Sequence, residues 1–174
     1  MNPRIQEVIE YLDLTRADLT NAVERIPADR RDQRPDDDRW SVAEILEHLN
    51  IIESRIGKLV TGKIEGARAA GLGPEVDTSP VLDTLDRARI GDRTNRVSAP
   101  EAVKPQSQTD AATAWAALQA SREKLRAALL GGDGLALSEV KQEHPVLGVI
   151  DLYQWAIFVG AHEARHTAQV REIE

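Results

Sequence analysis

Cysteine is absent from the 174-residue chain, which removes disulfides, thiolate metal ligands and a cysteine nucleophile together. Any metal must then be held through nitrogen or oxygen. Long apolar runs are missing too: no stretch approaches the roughly 20 residues of a membrane-spanning helix. The opening MNPRIQEVIEYLDL carries charges throughout, where a signal peptide has an apolar core. A cytoplasmic protein with no membrane partner is the expectation. Nor is there an excess of positive charge. The 22 Lys and Arg are interleaved with 29 Asp and Glu, for a formal net charge of −7, which argues against the clustered cations of a nucleic-acid footprint. The charges read as solvated helix faces. No internal repeat, low-complexity segment or β-rich run stands out, and the length suits one domain, 1–174, with a sizeable core.

What is present is helical periodicity. Ile5, Val8, Ile9, Leu12, Leu19, Val23 and Ile26 form a stripe that predicts a first helix over 3–26, ended by Pro27. In RWSVAEILEHLNIIESRIGKLV, Ser41 and Glu44 make a capping box, and Ile45, Leu49, Ile52, Ile56 and Leu59 form the stripe of a second helix. That helix starts at about residue 42 and extends toward Ala70, where Gly71, Gly73 and Pro74 break it. Residues 71–107, punctuated by Pro80, Gly91, Pro100 and Pro105, read as a long crossover with room for a short helix around 80–88. Thr109 or Asp110 caps a third helix, which carries Trp115, Leu118, Leu125 and Leu129 and stops at Gly131-Gly132. Asp151 caps the last. Four amphipathic helices with one long connection predict an all-α four-helix bundle, whose sites are built from side chains on facing helices.

The last helix contains His162 and His166 in an H-E-x-x-H pattern. A zinc-protease motif needs a third ligand further along the chain, and the eight residues after His166 hold no histidine. The spacing is informative without that motif. The stripe Leu152, Trp155, Val159 continues onto His162, His166 and Gln169, and in the second helix Ile45, His48, Ile52 place His48 on the buried side. Three of the four histidines thus point inward from two helices. Two readings remain open: hydrogen-bonded core histidines, or ligands of one metal ion, for which the i, i+4 pair is well spaced. Glu163 lies about 100° around the helix from His162, facing solvent or the edge of the site. Glu44 is explained as a cap, Glu47 and Glu53 as surface charges, and His144 falls in the loop before the last helix.

RWSVAEILEHLNIIESRI, with Trp40, Ser41, Glu44 and His48, resembles the second-helix signature of the DinB-like (DinB/YfiT) superfamily. HPVLGVIDLYQWAIFVGAHEARHTAQV resembles its closing signature, an H-P-x-x-G turn followed by H-x-x-x-H-x-x-Q. The resemblance runs from the first helix to the last. It implies an up-down-down-up bundle, a homodimer, and a divalent metal held by His48, His162 and His166. Zinc leads, with nickel, manganese or iron as alternatives. Gln169 is then a supporting group, and Glu163 and Gln169 are the candidates for orienting a ligand. The implied chemistry is thiol-dependent S-transfer from a low-molecular-weight thiol to a small-molecule electrophile. The alternatives are a metal-dependent hydrolase and a non-catalytic metal- or ligand-binding bundle.

Overall fold

Each long helix begins where a side chain satisfies its first free amides. The computed structural model describes residues 1–94, 98–106 and 109–173, so residues 95–97 and 107 of the expected crossover lie outside the described residues. Asn2 accepts the Arg4 amide and Pro3 fills the first turn of α1 (Pro3–Glu24). This helix ends two residues before the expected 26, because the chain tightens there and Ile26 N–H bonds the Val23 carbonyl ahead of Pro27. The Ser41–Glu44 capping box opens α2 (Val42–Ala69). In the crossover the expected helix at 80–88 is a 3₁₀ turn at Leu82–Thr84 followed by the short α3 (Arg87–Gly91). Asp110 caps α4 (Ala111–Gly131), and an Asp151–Gln154 capping box opens α5 (Leu152–Arg171).

One element departs from the expectation of no strands. β1 (Lys141–His144) and β2 (Gly148–Asp151) form an antiparallel hairpin, with His144 opposite Gly148 and Lys141 opposite Asp151. Arms of four residues are too short to give a clear period-two signal. His144 therefore ends a strand. Gly148, at φ 74°, supplies the left-handed backbone that closes the turn.

Contacts at the helix ends fix the topology. Arg4 lies over the Tyr153 ring at 5.8 Å, and Arg171 donates to Asp18 at 2.5 Å, so α1 and α5 run parallel. Arg68 near the end of α2 donates to the Gly131 carbonyl at the end of α4, so these two are parallel as well. The start of α2 packs with the end of α1, which makes the order up-down-down-up. Among the described residues no helix is long and apolar enough to cross a membrane.

The seven apolar residues of the first stripe are all buried, but the bundle interior is not one apolar core. One cluster gathers Ile5 to Leu12 with Ile56, Val60, Leu125 and Leu129; the other gathers Leu19 to Ile26 with Val42, Leu46 and Leu118. A polar layer lies between them. Within the first cluster α5 approaches α1 closely, and a Cβ on Gly160 would sit 2.5 Å from Cε1 of Tyr11. In an open helix Gly→Ala gains about 1 kcal/mol. Here overpacking should reverse the sign, so that Gly160→Ala costs about 1–3 kcal/mol in urea denaturation. A stabilised variant would show that the Tyr11 ring swings aside freely.

Candidate metal centre

His48 on α2 and His162 and His166 on α5 meet across the helix interface. Their Nε2 atoms converge: His162 Nε2 lies 3.4 Å from His48 Nε2 and 3.2 Å from His166 Nε2. His48 and His166 are buried and His162 is half-buried. Aromatic rings close two flanks. Trp40, just ahead of the α2 cap, lies 5.0 Å from the His48 ring and is stacked 6.4 Å from His166, while Phe158 stacks on His162 at 5.5 Å.

Hydrogen bonds on the far side of two rings set their tautomers. His48 Nδ1 donates to the Val103 carbonyl at 2.7 Å, and His166 Nδ1 donates to Gln169 Oε1 at 2.8 Å. A carbonyl oxygen can only accept, so both Nδ1 atoms carry the proton and both Nε2 atoms present lone pairs. Those two lone pairs face His162 Nε2, and one proton there could satisfy only one of them. A cation satisfies all three. Nitrogens about 2.0–2.1 Å from a tetrahedral zinc lie roughly 3.3–3.4 Å apart, close to the two separations found. Burial, then neighbouring His48, pushes His166 down to about 3. Burial with His166 and His48 beside it holds His162 well below the usual histidine value, and burial lowers His48 against the pull of the Val103 bond. The three rings are neutral at physiological pH, as metal coordination requires. The donor set fits a divalent metal.

Glu163 is not where its helical offset placed it. It is 1 % exposed, and its Oε2 accepts from Arg16 at 2.8 and 3.0 Å and from Arg122 at 3.0 Å. Glu53 is likewise no surface charge: it is buried, taking Arg122 Nε at 2.5 Å and Arg16 Nη2 at 2.9 Å. One residue from each long helix thus builds the polar layer that divides the core. Sequence reasoning missed it, although a signal was present. Arg16 stands between Leu12 and Leu19, Glu53 between Leu49 and Ile56, Arg122 between Leu118 and Leu125, each at apolar-stripe spacing.

The remaining candidates fall elsewhere. Glu44 caps α2 and pairs with Arg34, and Glu47 is half-buried with its Oε1 accepting the Gln106 amide at 3.0 Å. His144 accepts the Val146 and Leu147 amides through Nδ1 and packs on Trp155 and Phe158, which makes it a turn-holding residue of the hairpin.

The profile of the DinB superfamily matches residues 11–170, which spans the triad and the polar layer. The chain belongs to this superfamily. A relative from Bacillus subtilis (strain 168), designated "Uncharacterized protein YuaE", is 28% identical over 167 residues, covering 91% of this chain and 92% of its own. No solved structure matches significantly. Membership agrees with the all-α bundle and with a triad able to hold a metal. Which metal and which reaction are matters for the site itself.

Proposed function

We propose that this DinB-superfamily member is a divalent-metal-dependent enzyme that transfers a low-molecular-weight thiol to a small electrophile. His48, His162 and His166 hold the metal, with zinc the first candidate. The observation that supports this is the convergence of three Nε2 atoms at 3.2 and 3.4 Å, with two of the rings anchored from behind. A divalent cation among three neutral imidazoles retains its charge and open positions, so it lowers the pKa of a thiol or water brought to it.

Two considerations support a thiol over water. A thiol starts near pKa 8.5 and water near 15.7, so the thiol needs much the smaller shift. Zinc-protease chemistry also requires the carboxylate of H-E-x-x-H as general base. Here that carboxylate, Glu163, is anchored by two guanidinium groups in the polar layer. Val103 and Gln169 fix ligand tautomers, and Trp40 and Phe158 keep water off two sides of the triad.

Elemental mass spectrometry tests the reading, on protein purified without a metal-affinity tag and on His166→Ala beside it. Wild type should carry roughly one metal per chain and the variant little, with its helical circular dichroism retained. Loaded protein should then accelerate displacement of halide from a chromogenic aryl halide by a thiol, with the aryl thioether, halide ion and a proton as products. Wild type that stays metal-free after incubation with zinc, nickel, manganese and iron overturns the metal reading. Loaded protein that leaves a panel of thiols unreacted overturns the transferase.

A further inference from the structure

Two of the three histidines are held from behind by contacts that lead into the crossover between α2 and α4. The crossover's own hold on the bundle is uneven. Val81 and Leu85 are buried, but among the described residues from 86 to 106 none is. Half-buried Ile90 packs against the first core cluster, and past it the described residues of this segment are tied down by polar contacts that cluster around the triad.

After Pro100 the chain makes a 3₁₀ turn, Glu101–Val103, against α2. Val103 presents its carbonyl to His48 Nδ1 at 2.7 Å. On either side of that bond the turn is clipped to α2: Arg55 Nη2 donates to the Ala102 carbonyl at 2.6 Å, and the Gln106 amide donates to Glu47 Oε1 at 3.0 Å. The other grip is on α5. Arg93 pairs with both carboxylate oxygens of Glu172 at 2.7 and 2.8 Å, and its Nη1 donates at 3.4 Å to Gln169 Oε1, the atom that accepts from His166 Nδ1. Arg165 adds a bond to the Asp92 carbonyl.

Building on the proposed metal site, we infer that the crossover is a working part of it. Arg93 and the 101–106 turn are positioning elements that hold His166 and His48 in their metal-binding tautomers, so metal loading and closure of this strap form one linked equilibrium. A neutral imidazole with an unheld Nδ1 can switch tautomer or turn its ring, and either removes the lone pair from the shared point. Linkage is reciprocal: whatever factor the closed strap adds to metal affinity, bound metal adds to strap closure. With no fully buried apolar residue among the described crossover residues beyond Leu85, and Ile90 only half-buried against the core, this segment belongs to the low-stability end of the fold, where such coupling is measurable.

Hydrogen–deuterium exchange of the full chain, stripped with chelator and then titrated with zinc, reads the coupling directly. Peptides covering 98–106 should exchange roughly tenfold more slowly with zinc, while the 141–151 hairpin stays unchanged. Arg93→Ala and Arg55→Ala should each weaken zinc affinity by about tenfold, measured by competition with a chromophoric chelator. Their melting temperatures without metal should stay close to wild type, because neither side chain is part of the core. Arg93→Lys, which keeps one donor for Gln169, should recover part of the loss. If wild type binds zinc but exchange at 98–106 is unmoved and both variants bind equally well, the strap is uncoupled and this inference is overturned while the metal reading stands. If wild type binds none of zinc, nickel, manganese or iron, both are overturned.

Discussion

Glu53→Ala should lower the free energy of unfolding by about 3–5 kcal/mol, far more than loss of an exposed ion pair. The polar layer holds two guanidinium groups and two carboxylates, all at most 8 % exposed. Their hydrogen bonds are used inward: Arg122 Nη1 donates to the Leu12 carbonyl at 2.5 Å, and Arg16 Nη1 to the Leu118 carbonyl at 3.3 Å and to Gln119. Burial pushes the Glu53 carboxyl up, with Arg122 and Arg16 pulling against it. Burial works against the Arg122 charge, yet Glu163 and Glu53 raise it above its ordinary value. Removing one carboxylate leaves a buried positive charge that arginine cannot shed at any accessible pH. The cost is that of the orphaned ion. Replacing all four residues with apolar ones of similar volume should therefore return most of the stability lost. Urea denaturation of the two variants separates these quantities. A loss below about 1 kcal/mol for Glu53→Ala would mean that water reaches the layer in solution.

The polar layer also shows how far the sequence could be read. Helix starts at Asn2, Ser41, Asp110 and Asp151 are local events, and the caps at Ser41, Asp110 and Asp151 were legible from a few neighbouring residues. His48, His162 and His166 were legible because they fall in apolar stripes, and a stripe needs only the helical period. Glu163 was misplaced by the same rule. Its offset from His162 was measured against one buried face, whereas α5 buries two: the histidines face α2, and Glu163 faces Arg16 of α1 and Arg122 of α4. Each charge alone looked like a surface residue. Only the assembled bundle shows that two signs cancel at one level. The Val103 and Arg93 contacts depend on the path of a segment with no periodicity, so nothing local announced them. The hairpin was missed because its arms are four residues long.

Stripped of metal, the protein should lose stability as pH falls from 6.5 toward 3. His166 has an ordinary value of 6.5 and is pushed down to about 3 in the fold by burial, then by His48. Between these values the unfolded chain binds the proton and the folded chain does not, so stability is full above 6.5 and drains away with acidification. A complete shift of this size is on the order of 4–5 kcal/mol, a large share of the roughly 5–15 kcal/mol that holds a domain together. The surroundings mostly reinforce the sign. His162 and His48 are lowered too, and Arg93 and Arg165 disfavour a further cation, against the Gln169 bond that favours one. Among the carboxylates, Asp36, Asp77, Asp92, Asp110 and Asp133 are lowered and act the same way at lower pH, whereas Glu53 is raised and opposes them. His48→Ala should flatten the upper part of the profile. Zinc competes with protons for the same three nitrogens, so the loaded protein should hold its plateau to lower pH and then fall more steeply, several protons replacing one ion. Urea titrations across this range, with chelator and with zinc, measure both curves. A stripped protein whose stability is level from pH 7 to about 4.5 would show that the imidazoles are not buried neutral, and with that the lone pairs that make the triad a metal centre would be gone.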